Sequence, residues 1–193
     1  MNTSNTTTTH TTSIDNIYVW DNFFNEETYN DLVAKSEFVP WKFCEVVSES
    51  GQGTERFLTW NIFEEGAVHF DPMGIMPMID QQCRDKIHEK IPHAKIFDMK
   101  RLRFNGNMKG EGYQMYPHAD IFSDQETIWT IVIYLQGDGG TTIYEHKGGP
   151  ALTTVEFKPN RAVMFPSRCW HNAISPTSNY FRTSLGAVYM FDS

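Results

Sequence analysis

The sequence has few cysteines, no long apolar run and no cluster of basic residues, and each absence excludes a class of protein. Cys44, Cys83 and Cys169 are odd in number and form no CxxC pair, which excludes a disulfide framework or a zinc knuckle and is typical of a reducing compartment. No apolar run approaches the roughly 20 residues that span a bilayer. The net charge of −8 argues against binding to nucleic acids or anionic membranes, because phosphates attract a basic face. We therefore expect a cytoplasmic protein without membrane or nucleic-acid partners.

The length of 193 residues is sufficient for one domain with a buried core and short for two. Met1–Ser13 is rich in Thr, Asn and Ser and lacks both the basic start and the apolar stretch of a secretory signal, so we predict a disordered tail. Residues 14–193 are predicted to form a single domain, with a helical support and lid region at 14–94 and a β-core at 95–193.

The N-terminal half has the patterns of two helices. Ile14–Trp20 alternates apolar and polar residues, which predicts a short strand. Asn25 is a suitable N-cap for a helix over Glu26–Phe38, and apolar residues recur at helical spacing over Met76–Ile91. Between the helices, Lys42–Glu65 mixes β-type residues with a Gly- and Ser-rich stretch, which predicts a hairpin or a lid loop.

The C-terminal half consists of eight short β-type runs separated by Gly, Asn, Pro and Asp. These runs are Ile96–Phe104, Tyr113–Tyr116, Thr127–Leu135, Thr141–Tyr144, Thr153–Phe157, Ala162–Phe165, Trp170–Ile174 and Arg182–Phe191. Many short strands with turn residues between them predict a sandwich or barrel rather than alternating β–α units. The fold class is therefore mainly β, with α-helices at the N-terminal side.

The first candidate site is His118-Ala119-Asp120. In an extended strand, residues two apart point to the same face, so an imidazole and a carboxylate can converge. His171, 51 residues after Asp120, lies on another predicted strand and supplies a second imidazole. Two histidines and one carboxylate, here called the triad, make a facial arrangement that leaves metal positions open for other ligands. An HxD triplet alone, however, is common by chance and more often contains a surface histidine on a loop.

Three further features favour a metal site over that surface reading. His171 follows a hydrophobic strand, Ala162–Phe165, and a turn. Arg182 comes 11 residues after His171, at the start of the last apolar strand. Gly139-Gly140 marks a tight turn at which backbones approach each other closely. Together these features place the triad in an ordered β-framework with a cation nearby.

This order of HxD, Gly-Gly-Thr, Phe165-Pro166-Ser167, His171 and Arg182 resembles that of the iron(II)/2-oxoglutarate-dependent dioxygenase superfamily. It is most similar to the prolyl 4-hydroxylase-like branch and to small oxygenases of phages and marine bacteria. The resemblance covers Lys95–Phe191, about half of the chain. It implies a double-stranded β-helix (a jelly roll, cupin-like) with supporting N-terminal helices, and a location in the host cytoplasm if a phage encodes the protein.

The resemblance also implies roles for individual residues. His118, Asp120 and His171 would bind Fe(II). The residues that would contact the co-substrate 2-oxoglutarate are Arg182, Tyr134, Asn105 and Ser184. Arg182 would face its distal carboxylate, because a planar guanidinium binds a carboxylate through two parallel hydrogen bonds.

The implied reaction is the oxidative decarboxylation of 2-oxoglutarate by Fe(II) and O₂ to succinate and CO₂, with ascorbate as an optional reductant, coupled to hydroxylation of an aliphatic C–H bond. The branch suggests a peptidyl prolyl residue or another protein side chain as the substrate. Such a bond has no acidic proton, so no general base is required. Met115 stands where collagen-type prolyl hydroxylases commonly have Tyr, and Arg182 where they have Lys, and both differences argue against a collagen-like substrate.

Several alternatives stay open at this point. The same chemistry could act on a small metabolite or a nucleobase, although the acidic composition argues against the latter. A jelly roll that holds a redox-inert metal such as zinc is a second alternative, and a metal-free binding module is a third. Arg101 and Arg103 alternate along one strand and face either the substrate mouth or solvent. The loops Lys42–Glu65 and Ser123–Glu126 carry no motif, so neither substrate nor oligomeric state is readable.

Overall fold

The computed structural model describes residues 14–47, 54–69, 71, 73–110, 115–120 and 128–192. The strands are β1 (Tyr18–Trp20), β2 (Lys42–Val47), β3 (Thr54–Glu64), β4 (Ala67–Val68), β5 (Lys95–Met108), β6 (Ile128–Gln136), β7 (Gly140–Tyr144), β8 (Ala151–Glu156), β9 (Ala162–Pro166), β10 (His171–Ile174) and β11 (Phe181–Asp192). The helices are α1 (Glu26–Ser36) and α2 (Met76–Lys90), and a short 3-10 helix covers Ile14–Asn16. No helix within these ranges is long and apolar enough to cross a membrane.

Two antiparallel sheets form the fold. Within the described ranges, the large sheet has the order β1-β9-β6-β11-β5-β3-β2, with β4 paired to β3, and the small sheet has the order β10-β7-β8. Neighbours that are distant in sequence mark crossovers between the sheets, as in a jelly roll. The predicted double-stranded β-helix is therefore confirmed, and residues of both sheets line one cavity.

The two helices begin and end for local reasons. Asn25 caps α1, and its side chain accepts a hydrogen bond from the N–H of Thr28 at 2.8 Å. The carboxylate of Asp71 accepts hydrogen bonds from the N–H groups of Ile75 and Met76 at 3.0 and 2.9 Å, so it satisfies donors at the start of α2. Pro77 lies in the first turn of α2, where its missing N–H costs no hydrogen bond.

The large sheet separates a hydrophobic core from the cavity. Leu102 and Phe104 of β5 are fully buried in the same cluster as Ile79 and Ile87 of α2. The residues that alternate with them on β5 have the opposite orientation, as period-two geometry requires. These alternating residues are Arg101, Arg103, Asn105 and Asn107, and all four line the cavity. A single strand thus supplies both a core face and a polar face.

Seven of the eight predicted β-type runs coincide with strands β5 to β11. The remaining run, Tyr113–Tyr116, lies partly outside the described residues, and Met115 to Pro117 form no regular structure. Met1–Ser13 and Ser123–Glu126 also lie outside the described residues.

The N-terminal half contributes more than supporting helices. The Lys42–Glu65 segment contains the antiparallel pair β2–β3, and β3 continues the large sheet beside β5. β1 pairs with β9 through Tyr18 opposite Met164. Residues 48–53, between β2 and β3, lie outside the described part of the chain. The predicted hairpin is therefore the strand pair β2–β3 at one edge of the large sheet.

Candidate metal centre

The triad residues converge at one end of the cavity. The potential ligand atoms of His118, Asp120 and His171 all lie within 4.8 Å of one another. His118 and His171 form an isolated antiparallel bridge, with N–O distances of 2.9 and 2.8 Å, and the N–H of Asp120 donates to the carbonyl of Ser167 at 3.1 Å. The HxD segment is therefore held by single backbone contacts instead of the regular strand suggested by its spacing.

Both imidazoles are oriented by backbone carbonyls. His118 Nδ1 lies 3.0 Å from the carbonyl of Tyr116, and His171 Nδ1 lies 2.9 Å from that of Cys169. These contacts assign the proton to Nδ1 and leave the Nε2 lone pair for a metal. Burial, together with the neighbouring His118, lowers the pKa of His171 to about 4. His171 is therefore neutral at physiological pH, the form that binds metals.

Asp120 is ionised although it is buried. Burial raises its pKa, but the positive charges nearby, Arg101 foremost, outweigh this effect and hold the pKa well below its usual range. Arg101 Nη2 donates to Oδ1 at 2.5 Å, and Thr130 Oγ1 donates to Oδ2 at 2.8 Å. Oδ2 also lies 3.6 Å from Nε2 of His171. Two imidazoles that present Nε2 and one oriented carboxylate form the donor set suited to non-haem Fe(II) with open positions.

Arg182 lies in the same cavity and has almost no partner. Its side chain is 1% exposed, and Nη1 lies 3.4 Å from the carbonyl of Ile174. Its Nε has no hydrogen-bond partner among the described residues. The guanidinium carbon lies 5.0 Å from the centre of the Tyr134 ring. Burial lowers the pKa of Arg182, yet guanidinium stays charged in proteins. A buried cation with free donors requires an anion, and a carboxylate matches its geometry.

Asn105 and Ser184 lie beside each other on adjacent strands and line the same cavity. Ser184 is two residues from Arg182 on β11, so both side chains point to the same face. Gly186 makes room there, because a Cβ at this position would lie 2.7 Å from Nδ2 of Asn105. The structure therefore brings three of the four predicted co-substrate residues to one wall.

Tyr134 occupies a different position from the other three. It is buried behind Arg182, and its hydroxyl, which has one proton to donate, lies 2.9 Å from Thr141 Oγ1 and 3.1 Å from the carbonyl oxygen of Val155. Thr141 lines the cavity, whereas Tyr134 is absent from the lining residues. The direct contact to the co-substrate stays a prediction, and the observed contacts make Tyr134 a support for Arg182 and Thr141.

The Gly139-Gly140 turn allows β7 to approach its neighbours. Gly139 and Gly140 have φ angles of +98° and +149°. A Cβ would lie 2.4 Å from the carbonyl oxygen of Ile174 at Gly139 and equally close to that of Val155 at Gly140. Only glycine adopts these conformations at such contacts without strain. The close approach positions Thr141 at the cavity, a role that sequence reasoning missed although it had identified the turn.

Changing Tyr134 to Phe tests its role. We expect the KM for 2-oxoglutarate to rise by no more than about tenfold, because the ring beneath Arg182 remains and one neutral hydrogen bond contributes roughly 0.5–1.5 kcal/mol. The measurement is the KM for 2-oxoglutarate, with Tyr144→Phe, in the small sheet, as the control. A much larger rise would favour a direct hydrogen bond from Tyr134 to the co-substrate.

Comparison with known proteins finds a family that the site-bearing segment resembles. Residues 102–189 match the family model described as the 2OG-Fe(II) oxygenase superfamily. The C-terminal part of the chain is therefore similar to this superfamily. The matched segment includes the whole triad and Arg182, and the superfamily uses Fe(II), 2-oxoglutarate and O₂. A search of curated proteins found no significant match.

Solved structures of several oxygenases share the fold. An oxidoreductase of the 2OG-Fe(II) oxygenase family from Burkholderia pseudomallei has a TM-score of 0.73 at 16% identity, covering 91% of this chain and 85% of its own. A Pseudomonas putida prolyl-4-hydroxylase has a TM-score of 0.63 at 16% identity, covering 92% and 94%. The carbocyclase SnoK from nogalamycin biosynthesis has a TM-score of 0.68 at 13% identity, covering 91% and 79%. At these identities the likeness shows a shared oxygenase fold.

Proposed function

We propose that this oxygenase hydroxylates an aliphatic C–H bond, with the triad holding Fe(II) and Arg182 holding the distal carboxylate of 2-oxoglutarate. The observation that carries the proposal is a two-histidine, one-carboxylate centre in the same cavity as a buried guanidinium whose Nε has no partner among the described residues. A site for zinc alone, or a metal-free binding module, would leave Arg182 as a buried charge without a function.

Each side chain has a defined part in this proposal. The imidazoles of His118 and His171 present Nε2 because their Nδ1 atoms face carbonyl groups. Arg101 and Thr130 hold the Asp120 carboxylate in one orientation. When bound, iron supplies the oxidative decarboxylation of 2-oxoglutarate to succinate and CO₂ and the oxidation of the C–H bond.

The co-substrate residues act by binding and orientation. In the proposal, Arg182 donates to the distal carboxylate, Ser184 and Asn105 add hydrogen bonds, and Tyr134 supports the guanidinium through its ring. The hydroxyl of Thr141 lies 2.9 Å from that of Tyr134, and Thr141 lines the same cavity. No residue has to remove a proton from the substrate, because an aliphatic C–H bond is not acidic.

A peptidyl prolyl residue or another protein side chain is the first candidate substrate, supported by the sequence resemblance and by the fold shared with a prolyl-4-hydroxylase. A small molecule is the second candidate, supported by the equally similar fold of a carbocyclase from antibiotic biosynthesis. Both candidates require the same iron and co-substrate site. They differ in what approaches the open side of the cavity.

Succinate formation tests the proposed function. The purified protein is expected to convert 2-oxoglutarate to succinate with Fe(II) and O₂, slowly alone and faster with a suitable peptide or small molecule. Chelation of iron, or its replacement by Zn(II), should stop the reaction, because zinc is redox-inert. Succinate can be quantified by mass spectrometry. Absence of succinate with iron under every condition, including the presence of ascorbate, would contradict the proposal.

A further inference from the structure

The cavity contains two guanidinium groups that the proposed reaction does not use for the co-substrate. Arg101 and Arg103 lie on the cavity face of β5. Arg101 donates a hydrogen bond from Nη2 to Asp120. The Nε of Arg101 is buried and has no hydrogen-bond partner among the described residues. Arg103 makes no hydrogen bond or ion pair with any described residue, and its Nε is likewise buried. Burial and the charge of Arg101 lower the pKa of Arg103 to about 10, so it is still charged near neutral pH.

Among the described acidic residues, Asp120 pairs with Arg101, and none forms an ion pair with Arg103. Asp120 is the one carboxylate among the described residues that line the cavity. Glu64 lies opposite Arg101 in the register of β3 and β5, but its carboxylate accepts a hydrogen bond from Asn61 at 2.7 Å. Binding of a divalent metal adds two positive charges, and 2-oxoglutarate removes only two. With Asp120 paired to Arg101, the occupied site therefore retains the positive charge of Arg103.

The two cationic regions lie at different places along the sheet. Arg182 is opposite Asn107 in the β5–β11 register, and Arg103 is opposite Gly186. Arg103 is thus four residues further along β5, about 13 Å at a rise of roughly 3.3 Å per residue. Arg101, beside Asp120, lies two residues beyond. A carboxylate held by Arg182 cannot also contact Arg103, so an anion that pairs with Arg103 has to be a second one.

We propose that Arg103, assisted by Arg101, binds a carboxylate of the primary substrate. This inference rests on the proposed function and specifies its substrate class: an acid whose carboxylate lies beside the metal while a nearby C–H bond is oxidised. The acid is either a free small molecule or an acidic group of a peptide, and both offer the same chemistry to a planar guanidinium.

A binding experiment without turnover tests this inference. The protein is loaded with Ni(II) and saturated with N-oxalylglycine, an inert analogue of 2-oxoglutarate, and then titrated calorimetrically. The small-molecule probes are N-acetyl-L-proline and its neutral match N-acetyl-L-prolinamide. The peptide probes are two amidated hexapeptides that contain Glu or Gln next to Pro. We expect at least one acid to bind about tenfold more tightly than its neutral match, because charge-assisted hydrogen bonds are lost in the match.

The variant Arg103→Gln should lose this preference for the acid. Arg84→Gln removes the same charge from α2, where Arg84 pairs with Asp80 outside the cavity, and it should keep the preference. A preference within the small-molecule pair identifies a free acid, and one within the peptide pair identifies an acidic peptide. Either result supports the inference only if Arg103→Gln abolishes it.

Three results would overturn the inference. The first is equal binding of acid and neutral match by the wild type, and the second is no acid binding even at tens of millimolar. The third is weaker binding of N-oxalylglycine by Arg103→Gln with an unchanged acid preference, which would assign Arg103 to the co-substrate. Failure of N-oxalylglycine to bind the wild type would instead contradict the proposed co-substrate site, so the two failures are distinguishable.

Discussion

Replacing Asp120 with Ala is expected to reduce iron-dependent succinate formation by more than about a hundredfold. Loss of a residue that only orients a metal ligand costs roughly 10–100-fold, and Asp120 is proposed to be a ligand itself. Its removal also deprives Arg101 of its partner in a site where only 16% of the Arg101 side chain is exposed. The measurement combines succinate formation over a range of iron concentrations with the iron content of the protein.

The same substitution at Asp85, on the outer side of α2, is the matched control because Asp85 is exposed. Asp120→Asn is the second variant and keeps the side-chain volume while it removes the charge. Both Asp120 variants should keep the far-ultraviolet circular dichroism of the wild type. Normal turnover by folded Asp120→Ala would contradict the assignment of the triad.

The β-core could be predicted from the sequence because its information is local. β5 alternates, β6 and β9 are almost continuously apolar, and Gly, Asn, Pro or Asp lies between most of the strands from β5 to β11. The same holds for α2, whose buried Ile79, Cys83 and Ile87 recur at helical spacing. These patterns reflect the side-chain periods of strand and helix. They can therefore be recognised in the sequence without knowing which elements pack against each other.

The place of the N-terminal strands in the large sheet could not be predicted in this way. β1 pairs with β9, through contacts such as Trp20 opposite Ala162, and β3 continues the sheet beside β5. Such pairings join segments far apart in sequence. A local pattern indicates that a strand forms but not which strand lies beside it. The segment Lys42–Glu65 therefore resembled a separate hairpin or lid.

Some residues of the candidate site could be predicted from the sequence and others could not, for the same reason. The triad could be identified because residue type and order carry the chemistry of a two-histidine, one-carboxylate centre. The groups that orient it could not, since Arg101 and Thr130 reach Asp120 only through tertiary packing. The same applies to Tyr134. Its place in the sequence suggested a hydrogen bond to 2-oxoglutarate, but its hydroxyl lies beside Thr141 and Val155, which only tertiary packing brings there.

Replacing Arg182 with Met is expected to raise the KM for 2-oxoglutarate by about a hundredfold or more while iron remains bound. Two charge-assisted hydrogen bonds contribute roughly 1.5–3 kcal/mol each, and about 1.4 kcal/mol corresponds to tenfold in affinity. In the unliganded protein, however, Arg182 is a buried charge with almost no partner. We therefore expect the unliganded Met variant to be at least as stable as the wild type.

Thermal unfolding separates these two effects. Metal and 2-oxoglutarate together should raise the Tm of the wild type, because a ligand that binds the native state stabilises it, whereas the co-substrate part of this shift should be absent in Arg182→Met. Arg182→Lys keeps the charge but loses the planar guanidinium. Its KM for 2-oxoglutarate should therefore lie between the KM of the wild type and that of Arg182→Met. An unchanged dependence on 2-oxoglutarate in Arg182→Met would refute the co-substrate role. Loss of iron as well as of 2-oxoglutarate dependence in Arg182→Met would show that Arg182 supports the triad. The buried charge of Arg182 would then serve metal binding and not only the co-substrate.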